Sequence, residues 1–261
     1  MDEDAERTLI FVDMLGFANL TKQLRYRVLH YPPNEMGFQV SSVSEIQSRL
    51  MRFRRVLDMC TFETSLTGSL HAMLFSDCAF LDVGTSLNAA LTATDLIRNF
   101  IKEKVPVRIG MGKGTFYPLM FSTETSGKTI VARSLFVGTA IINSHAAEQC
   151  GGKGIRIFVH SSLKDELSTI GRRVKILDLT KPYKDALWEL DYLAERKPAS
   201  QASLEEENDR KLFDVIIEMN DPTAPLKVKR QYSETLKALN RMRLANSKSI
   251  FNIRRSKGRT M

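Results

Sequence analysis

The sequence contains little cysteine, and its few cysteines are widely spaced. Cys60, Cys78 and Cys150 are odd in number, and none of them belongs to a CxxC pair. A disulfide framework needs an even set of cysteines, and a structural zinc site needs closely spaced pairs of ligands. The cysteine pattern therefore argues against both.

Long hydrophobic runs are also absent. No apolar stretch approaches the ~20 residues that a membrane-spanning helix requires. The acidic start MDEDAER does not lead from a basic segment into an apolar one, as a secretory signal does. The 261 residues are 43 % hydrophobic and 26 % charged, which is ordinary for a soluble globular protein with one sizeable core. We therefore expect a cytoplasmic protein without a membrane span.

Positive charge is concentrated near the end of the chain. The net charge is +8, and the segment from Leu226 to Met261 holds eleven Lys and Arg against the single acid Glu234. A basic segment of this kind suits nucleic acid, membrane phosphate or an acidic protein surface. A solvated helix explains the same composition equally well, and we do not expect nucleic acid to be the principal partner.

Hydrophobic periodicity divides the chain into alternating strands and helices. The pattern predicts strands at 8–15, 107–116, 129–137 and 154–160, a hairpin within 61–83, and helices at 19–30, 43–60, 86–104 and 140–148. The hairpin turns at Ser76-Asp77, because both side chains readily hydrogen-bond to nearby backbone. With the two helices before the hairpin counted as one helical segment, the elements up to residue 116 follow the order βαββαβ. This order predicts an α+β, ferredoxin-like sheet whose central strands are the first and the third.

The composition changes near residue 197. Lys197-Pro198-Ala199-Ser200 is typical of a linker, and Ser203-x-x-Glu206 predicts the start of a helix that ends before Asn220. A second, basic helix is expected from about Val228 to Asn246. We therefore divide the chain into an α+β domain at 1–196 and a helical, basic C-terminal extension at 197–261.

Two apolar runs each contain one acid. Asp13 lies within LIFVDMLGF, and Asp77 lies within LHAMLFSDCAFL. A buried carboxylate needs a compensating base or metal ion, because burial disfavours its charged form. In the ferredoxin-like order the end of the first strand lies beside the hairpin turn, so we expect the two acids to meet. Taken singly, Asp13 is better explained as a helix cap and Asp77 as a turn former.

Together the two acids favour a shared divalent cation. Mg²⁺ and Mn²⁺ prefer oxygen ligands, and they relieve the repulsion between close carboxylates. Two such ions hold phosphates in place and lower the pKa of a nearby hydroxyl group. Gly16 permits close backbone approach, and the helix expected after it directs free N–H groups at phosphate. The sequence therefore predicts metal-assisted phosphoryl chemistry on a nucleotide.

Four stretches resemble the motifs of class III nucleotidyl cyclases. Phe11-Val12-Asp13-Met14-Leu15-Gly16-Phe17 resembles F-x-D-[IM]-x-G-F, and Phe75-Ser76-Asp77 stands where this family has a Gly-Asp hairpin. Residues 107–114 resemble the R-x-G-[IL]-x-x-G strand, and residues 138–146 resemble the G-x-x-[VI]-N-x-A-x-R helix start. The resemblance extends over about residues 7–160, in the family's order.

The resemblance implies a cyclase-type catalytic domain that acts as a homodimer, with sites built across the subunit interface. It assigns Asp13 and Asp77 to two metal ions, Mn²⁺ or Mg²⁺, with the Met14 carbonyl as a further ligand. Backbone groups of Leu15-Gly16-Phe17 would hold the triphosphate. The ribose 3′-hydroxyl would attack the α-phosphate and release pyrophosphate and a 3′,5′-cyclic nucleotide.

Several of the family's residues are replaced in this chain. The transition-state Asn and Arg fall at Ile142 and Ala146, and the purine-reading Lys and its partner fall at Met73 and Leu135, which we assign to the base pocket. The pattern G-x-A-I-x-x-x-H/Y-x-x-E, from Gly138 onwards, resembles the bacterial pyrimidine cyclases of Pycsar antiphage defence. This resemblance implies synthesis of cyclic UMP or cyclic CMP as a signal for a separate effector protein. We favour UTP over CTP, although no residue identifies the base.

Two basic residues are further candidates for binding the nucleotide. Arg108 is suited to phosphate and equally to a structural ion pair, whereas Lys113 lies between Gly112 and Gly114, where ammonium and backbone approach an anion together. The replaced transition-state residues leave a second interpretation open. In it, a catalytically degenerate cyclase-like domain dimerises and binds nucleotide as a sensor.

Overall fold

The computed structural model describes most of the chain. The described residues are 6–18, 21, 45–65, 71–125, 128–169, 175–183, 186–193, 202–220 and 223–257. The helix predicted at 19–30 lies outside the described residues apart from Thr21, and the linker predicted at 197–200 lies outside them entirely.

Nine strands and six α-helices make up most of the described residues. The strands are β1 (Glu6–Met14), β2 (His71–Leu74), β3 (Cys78–Asp82), β4 (Val107–Thr115), β5 (Tyr117–Thr125), β6 (Lys128–Val137), β7 (Ile157–His160), β8 (Ile176–Tyr183) and β9 (Ala186–Leu190). The helices are α1 (Glu45–Ser65), α2 (Ser86–Lys102), α3 (Thr139–Glu148), α4 (Lys164–Thr169), α5 (Ala202–Met219) and α6 (Leu226–Lys257). None of the helices, within the described residues, is long and apolar enough to cross a membrane.

One large sheet organises these elements. Its strand order is β2-β3-β1-β4-β7-β9-β8, and β5 and β6 form a separate two-stranded ribbon. β1 pairs antiparallel with both β3 and β4, whereas β4 pairs parallel with β7. The order β2-β3-β1-β4 is the ferredoxin-like arrangement with β1 and β3 in the centre, so the predicted α+β fold class is confirmed.

The side chains of β1 alternate between the two faces of this sheet. Ile10, Val12 and Met14 join the large core, to which α1 and α2 also contribute. Leu9 and Phe11 belong to a smaller cluster. Because successive residues of a strand point to opposite faces, Asp13 lies on the face of the smaller cluster. The acid is therefore kept out of the large core.

Glycines in β4 let α3 lie directly on this second face. A Cβ atom at Gly110 would stand 2.1 Å from the Ser144 carbonyl oxygen, and one at Gly112 would stand 2.4 Å from the Ser144 nitrogen. At Gly114 it would stand 2.2 Å from Thr139 Oγ1. Any side chain at these positions would push the helix away from the strand. The glycine pattern of β4 thus serves helix packing.

The C-terminal helices pack on the same core. Leu212 of α5 and Leu239 of α6 are buried within it. The Gly154 amide donates to Gln231 Oε1 at 2.6 Å, and the Ile155 amide donates to Thr235 Oγ1 at 2.8 Å. Residues 231–239 of the basic segment are therefore attached to the domain by hydrogen bonds and by apolar packing.

Thr235→Val tests this attachment. Thr235 is fully buried, and its hydroxyl donates to the Gln231 carbonyl at 2.8 Å while accepting from Ile155. Valine has nearly the same shape but leaves the buried Ile155 N–H without an acceptor. We expect the free energy of unfolding to fall by about 1–3 kcal/mol, measured by chemical denaturation. Ser233→Ala, at an exposed neighbouring position, is the control, and equal effects of the two changes would contradict the assignment.

Candidate active site

The structure brings Asp13 and Asp77 together. Asp13 lies near the end of β1, directly opposite Cys78 of β3 on one side and Arg108 of β4 on the other. Asp77 is the last residue before β3, in a turn closed by a 2.8 Å hydrogen bond from the Phe75 amide to the Cys78 carbonyl. The two acids thus stand at the same end of the sheet, Asp13 on β1 and Asp77 in the turn before the neighbouring strand β3.

The electrostatics around Asp13 disfavour its negative charge. Burial raises the pKa of Asp13 to about 7, the nearby Glu148 and Asp77 carboxylates contribute to this rise, and Arg108 opposes them. Burial and the same acids raise the pKa of the Cys78 thiol to about 11. The thiol therefore stays neutral at physiological pH and does not act as a thiolate ligand. The anionic metal ligands available at this end of the sheet are carboxylates.

This donor set fits magnesium or manganese. Within the described residues, no group of three or more His, Cys, Asp or Glu side chains is arranged to hold a metal ion. Mg²⁺ does not need such a group, because it commonly binds one or two carboxylates and completes its shell with water and substrate phosphate. Asp13, Asp77 and the Met14 carbonyl would hold such ions, which would in turn relieve the repulsion that raises the pKa of Asp13.

The residues after β1 differ in what they can offer a phosphate. The Leu15 amide already donates to the Pro106 carbonyl at 2.8 Å. Gly16 is exposed and has a φ of +81°, and a Cβ atom added to it would meet no described residue within 4 Å beyond its chain neighbours. Phe17 packs partly against the large core. Among these three predicted residues, Gly16 has the most accessible backbone.

Arg108 lies beside the acid pair, but its guanidinium is already engaged. It forms an ion pair with Glu148 of α3, and it donates to the Gly152 carbonyl at 2.9 Å. Glu148 is fully buried, and Arg108 is 11 % exposed. The sequence suited Arg108 to phosphate binding or to a structural ion pair, and in the structure it forms the ion pair. Glu148 is the residue that sequence reasoning missed as part of this site, although it belongs to the recognised helix pattern.

Lys113 is not brought to the acid pair. It stands opposite Thr8 in the β1–β4 register, five residues along each strand from the Asp13–Arg108 pair. Its ammonium group binds Glu6 at 2.9 Å and also binds Glu166, and these partners raise the pKa of Lys113. The glycines beside it are packed against α3, so they leave no room there for an anion.

The predicted base pocket is divided between two parts of the chain. Met73 stands opposite Phe80 in the β2–β3 pair and packs against the smaller cluster. Leu135 lies in β6, opposite Leu119 in the separate ribbon, and only its backbone is described. The His145 ring lies 5.1 Å from the Phe11 ring and is exposed. The pocket stays a prediction.

The comparisons with known proteins identify the fold. Neither a protein-family model nor a curated protein matches the sequence. The chain is similar to the solved structure of the guanylyl cyclase Cya2, with 13 % identity and a TM-score of 0.50 over 72 % of this chain and 94 % of that one. It is also similar to the guanylate cyclase domain of RhGC from Catenaria anguillulae in complex with GTP, with 14 % identity and a TM-score of 0.50 over 75 % and 98 %. The chain therefore has the fold of nucleotide cyclase catalytic domains.

The electrostatics of Asp13 predict a pH dependence of stability. Because the pKa of Asp13 is raised from 3.8 to about 7 in the folded protein, the native state holds a proton that the unfolded chain has already released between these values. Without divalent metal, the folded protein therefore loses stability relative to the unfolded chain as the pH rises from about 4 to about 7. Asp13→Asn removes the titration. We expect the variant to match the wild type near pH 4 and to be more stable by about 2 kcal/mol at pH 8, allowing for solvent screening.

Denaturant titrations at the two pH values measure this difference. Asp214→Asn, at an exposed carboxylate on α5, is the control and should change stability equally at both. A wild type and an Asp13→Asn variant with parallel pH profiles would show that the Asp13 carboxyl has an ordinary pKa.

Proposed function

We propose that this chain is a pyrimidine nucleotide cyclase, which converts UTP or CTP to the 3′,5′-cyclic nucleotide and pyrophosphate. The observation that carries the proposal is the meeting of Asp13 and Asp77 at one end of a sheet with the cyclase-domain fold. Oxygen ligands on neighbouring strands suit divalent ions that bind a triphosphate. When bound, such ions neutralise phosphate charge and lower the pKa of the ribose 3′-hydroxyl.

The residues of this chain orient the reactants. In the proposed reaction a bond forms between the ribose 3′-oxygen and the α-phosphorus, the bond from that phosphorus to the bridging oxygen breaks, and pyrophosphate leaves. The hydroxyl proton passes to solvent. Asp13, Asp77 and the Met14 carbonyl would hold the ions, and the exposed backbone at Gly16 would donate to a phosphate oxygen.

The pyrimidine assignment rests on Met73. The class III resemblance places a purine-reading Lys at this position, whereas methionine offers no charged donor to a purine. Met73 lies on the same face of the sheet as Phe11, in an apolar cluster. We further propose, on the resemblance to the Pycsar cyclases, that the product signals to a separate effector in antiphage defence and that UTP is preferred.

The assay is an incubation with each of the four ribonucleoside triphosphates and Mn²⁺, followed by mass spectrometry of the products. We expect cyclic UMP, cyclic CMP or both, and no cyclic purine nucleotide. Asp77→Ala should lower turnover at least roughly a hundredfold, since even residues that only orient metal ligands cost 10–100-fold.

The matched control is Asp214→Ala, which removes an exposed carboxylate from α5 and should leave turnover unchanged. An Asp77→Ala variant with full turnover would refute the metal assignment. A wild type that forms no cyclic nucleotide from any triphosphate would refute the cyclase.

A second candidate function is a nucleotide-binding sensor without turnover. Ile142 and Ala146 stand where the resemblance places the transition-state Asn and Arg, and neither side chain can stabilise developing charge. Ile142 is 65 % exposed on α3. Metal-dependent binding of a nucleoside triphosphate, with no product in the assay above, would support the sensor over the enzyme.

We also propose a homodimer. Ile142 and Val137 are 65 % and 54 % exposed, and both belong to the segment around the start of α3, on the candidate-site side of the sheet. A singly exposed apolar side chain needs no explanation, so it is the resemblance to cyclases, whose sites are built across a subunit interface, that selects this side of the sheet. Ile142→Asp should shift the protein towards monomer in analytical ultracentrifugation. Ile217→Asp, at a 59 % exposed isoleucine on α5, should not, and equal sedimentation of the Ile142→Asp variant and the wild type would exclude this surface from the interface.

A further inference from the structure

Arg108 is positioned to form a salt bridge with Asp13 but is bound elsewhere. The two residues stand directly opposite one another in the antiparallel β1–β4 pair. Side chains in such a pair lie close together, and opposite charges attract. The structure nevertheless has the guanidinium on Glu148 and on the Gly152 carbonyl.

Glu148 reaches Arg108 because α3 lies so close to β4. A Cβ atom at Gly110 would stand 2.9 Å from the Glu148 Cβ and 2.5 Å from its backbone nitrogen. Gly110 follows Arg108 by two residues, and both therefore lie on the same face of the strand. The absence of a side chain at Gly110 allows the last turn of the helix to place a carboxylate over the strand next to Arg108.

Arg108 and Glu148 neutralise each other's charge beside Asp13. Arg108 and Glu148 are both largely buried, so each needs the other to offset the loss of hydration. If Glu148 were neutral, the buried guanidinium would lack its anionic partner, and the nearest alternative across the strand pair would be Asp13. A carboxylate bound to arginine is a poorer metal ligand, because the guanidinium occupies its oxygen lone pairs.

We infer that Glu148 is a positioning residue of the metal site, which holds Arg108 away from Asp13 and so keeps the Asp13 carboxylate available to a divalent cation. The inference rests on the proposed function, in which Asp13 and Asp77 bind metal. Glu148 itself is bound to Arg108 and is not a ligand in this arrangement.

Titration of the full-length chain with Mn²⁺ alone, followed by the electron paramagnetic resonance signal of free Mn²⁺, tests the inference without turnover. We expect Glu148→Gln to weaken Mn²⁺ binding by at least roughly tenfold, the lower end of the effect of removing a partner that orients metal ligands. The double variant Arg108→Gln/Glu148→Gln removes the competing cation as well, so its Mn²⁺ affinity should return to within about threefold of the wild type.

The double variant separates positioning from simple damage. If Glu148 only stabilised the fold, the double variant would bind Mn²⁺ no better than Glu148→Gln. It also serves where Glu148→Gln fails to fold, because replacing both members of a buried ion pair is milder than replacing one. Glu166→Gln, which removes one of the two acidic partners of Lys113 at the far end of β4, is the matched control and should bind Mn²⁺ as the wild type does.

The outcomes distinguish this inference from the proposed function. Wild-type affinity in Glu148→Gln, or a folded double variant that binds as weakly as the single one, overturns the positioning role. If Asp77→Ala loses Mn²⁺ binding in the same experiment, the metal site itself stands. A wild type that binds no Mn²⁺ overturns both the metal site and the role of Glu148.

Discussion

The hydrogen bond from the Met14 amide to the Asp77 carbonyl, 2.9 Å long, fixes the position of Asp13 relative to Asp77, on which the site depends. It joins the end of β1 to the hairpin turn, immediately beside the two carboxylates. The β1–β3 register continues this bond, with Asp13 opposite Cys78. Since β1 is bonded on both sides, the end of the strand cannot slip by one residue without turning Ile10 and Val12 out of the core. Burial of the strand therefore holds Asp13 on the candidate-site face.

The same constraint explains why the placement of the acids was predictable from sequence. An apolar run around each acid indicated a strand, and the Ser76-Asp77 spacing indicated a tight hairpin. The order βαββαβ then leaves few ways to arrange the strands. These are local signals, and the structure of the first four strands follows them.

Contacts between distant elements were not predictable in the same way. The sequence does not show whether Gly110 and Gly112 make room for an anion or for a helix. Either one requires a residue without a side chain at these positions. The ion pair of Arg108 depends on which residue of α3 faces β4, forty positions away. β5 and β8 each contain a proline, at Pro118 and Pro182, which weakens the strand signal that the remaining residues carry.

The C-terminal helix α6 belongs to the same network of contacts as the candidate site. Its Thr235 holds the Ile155 amide, and the carbonyl of the next residue, Arg156, accepts a 2.9 Å hydrogen bond from the Ile109 amide of β4. Ile109 follows Arg108 directly. Gly154 has a φ of +96°, and a Cβ there would stand 2.8 Å from the Thr235 backbone nitrogen, so the helix and this segment are fitted to one another. Docking of α6 therefore constrains the backbone of β4 on the strand where Arg108 faces Asp13.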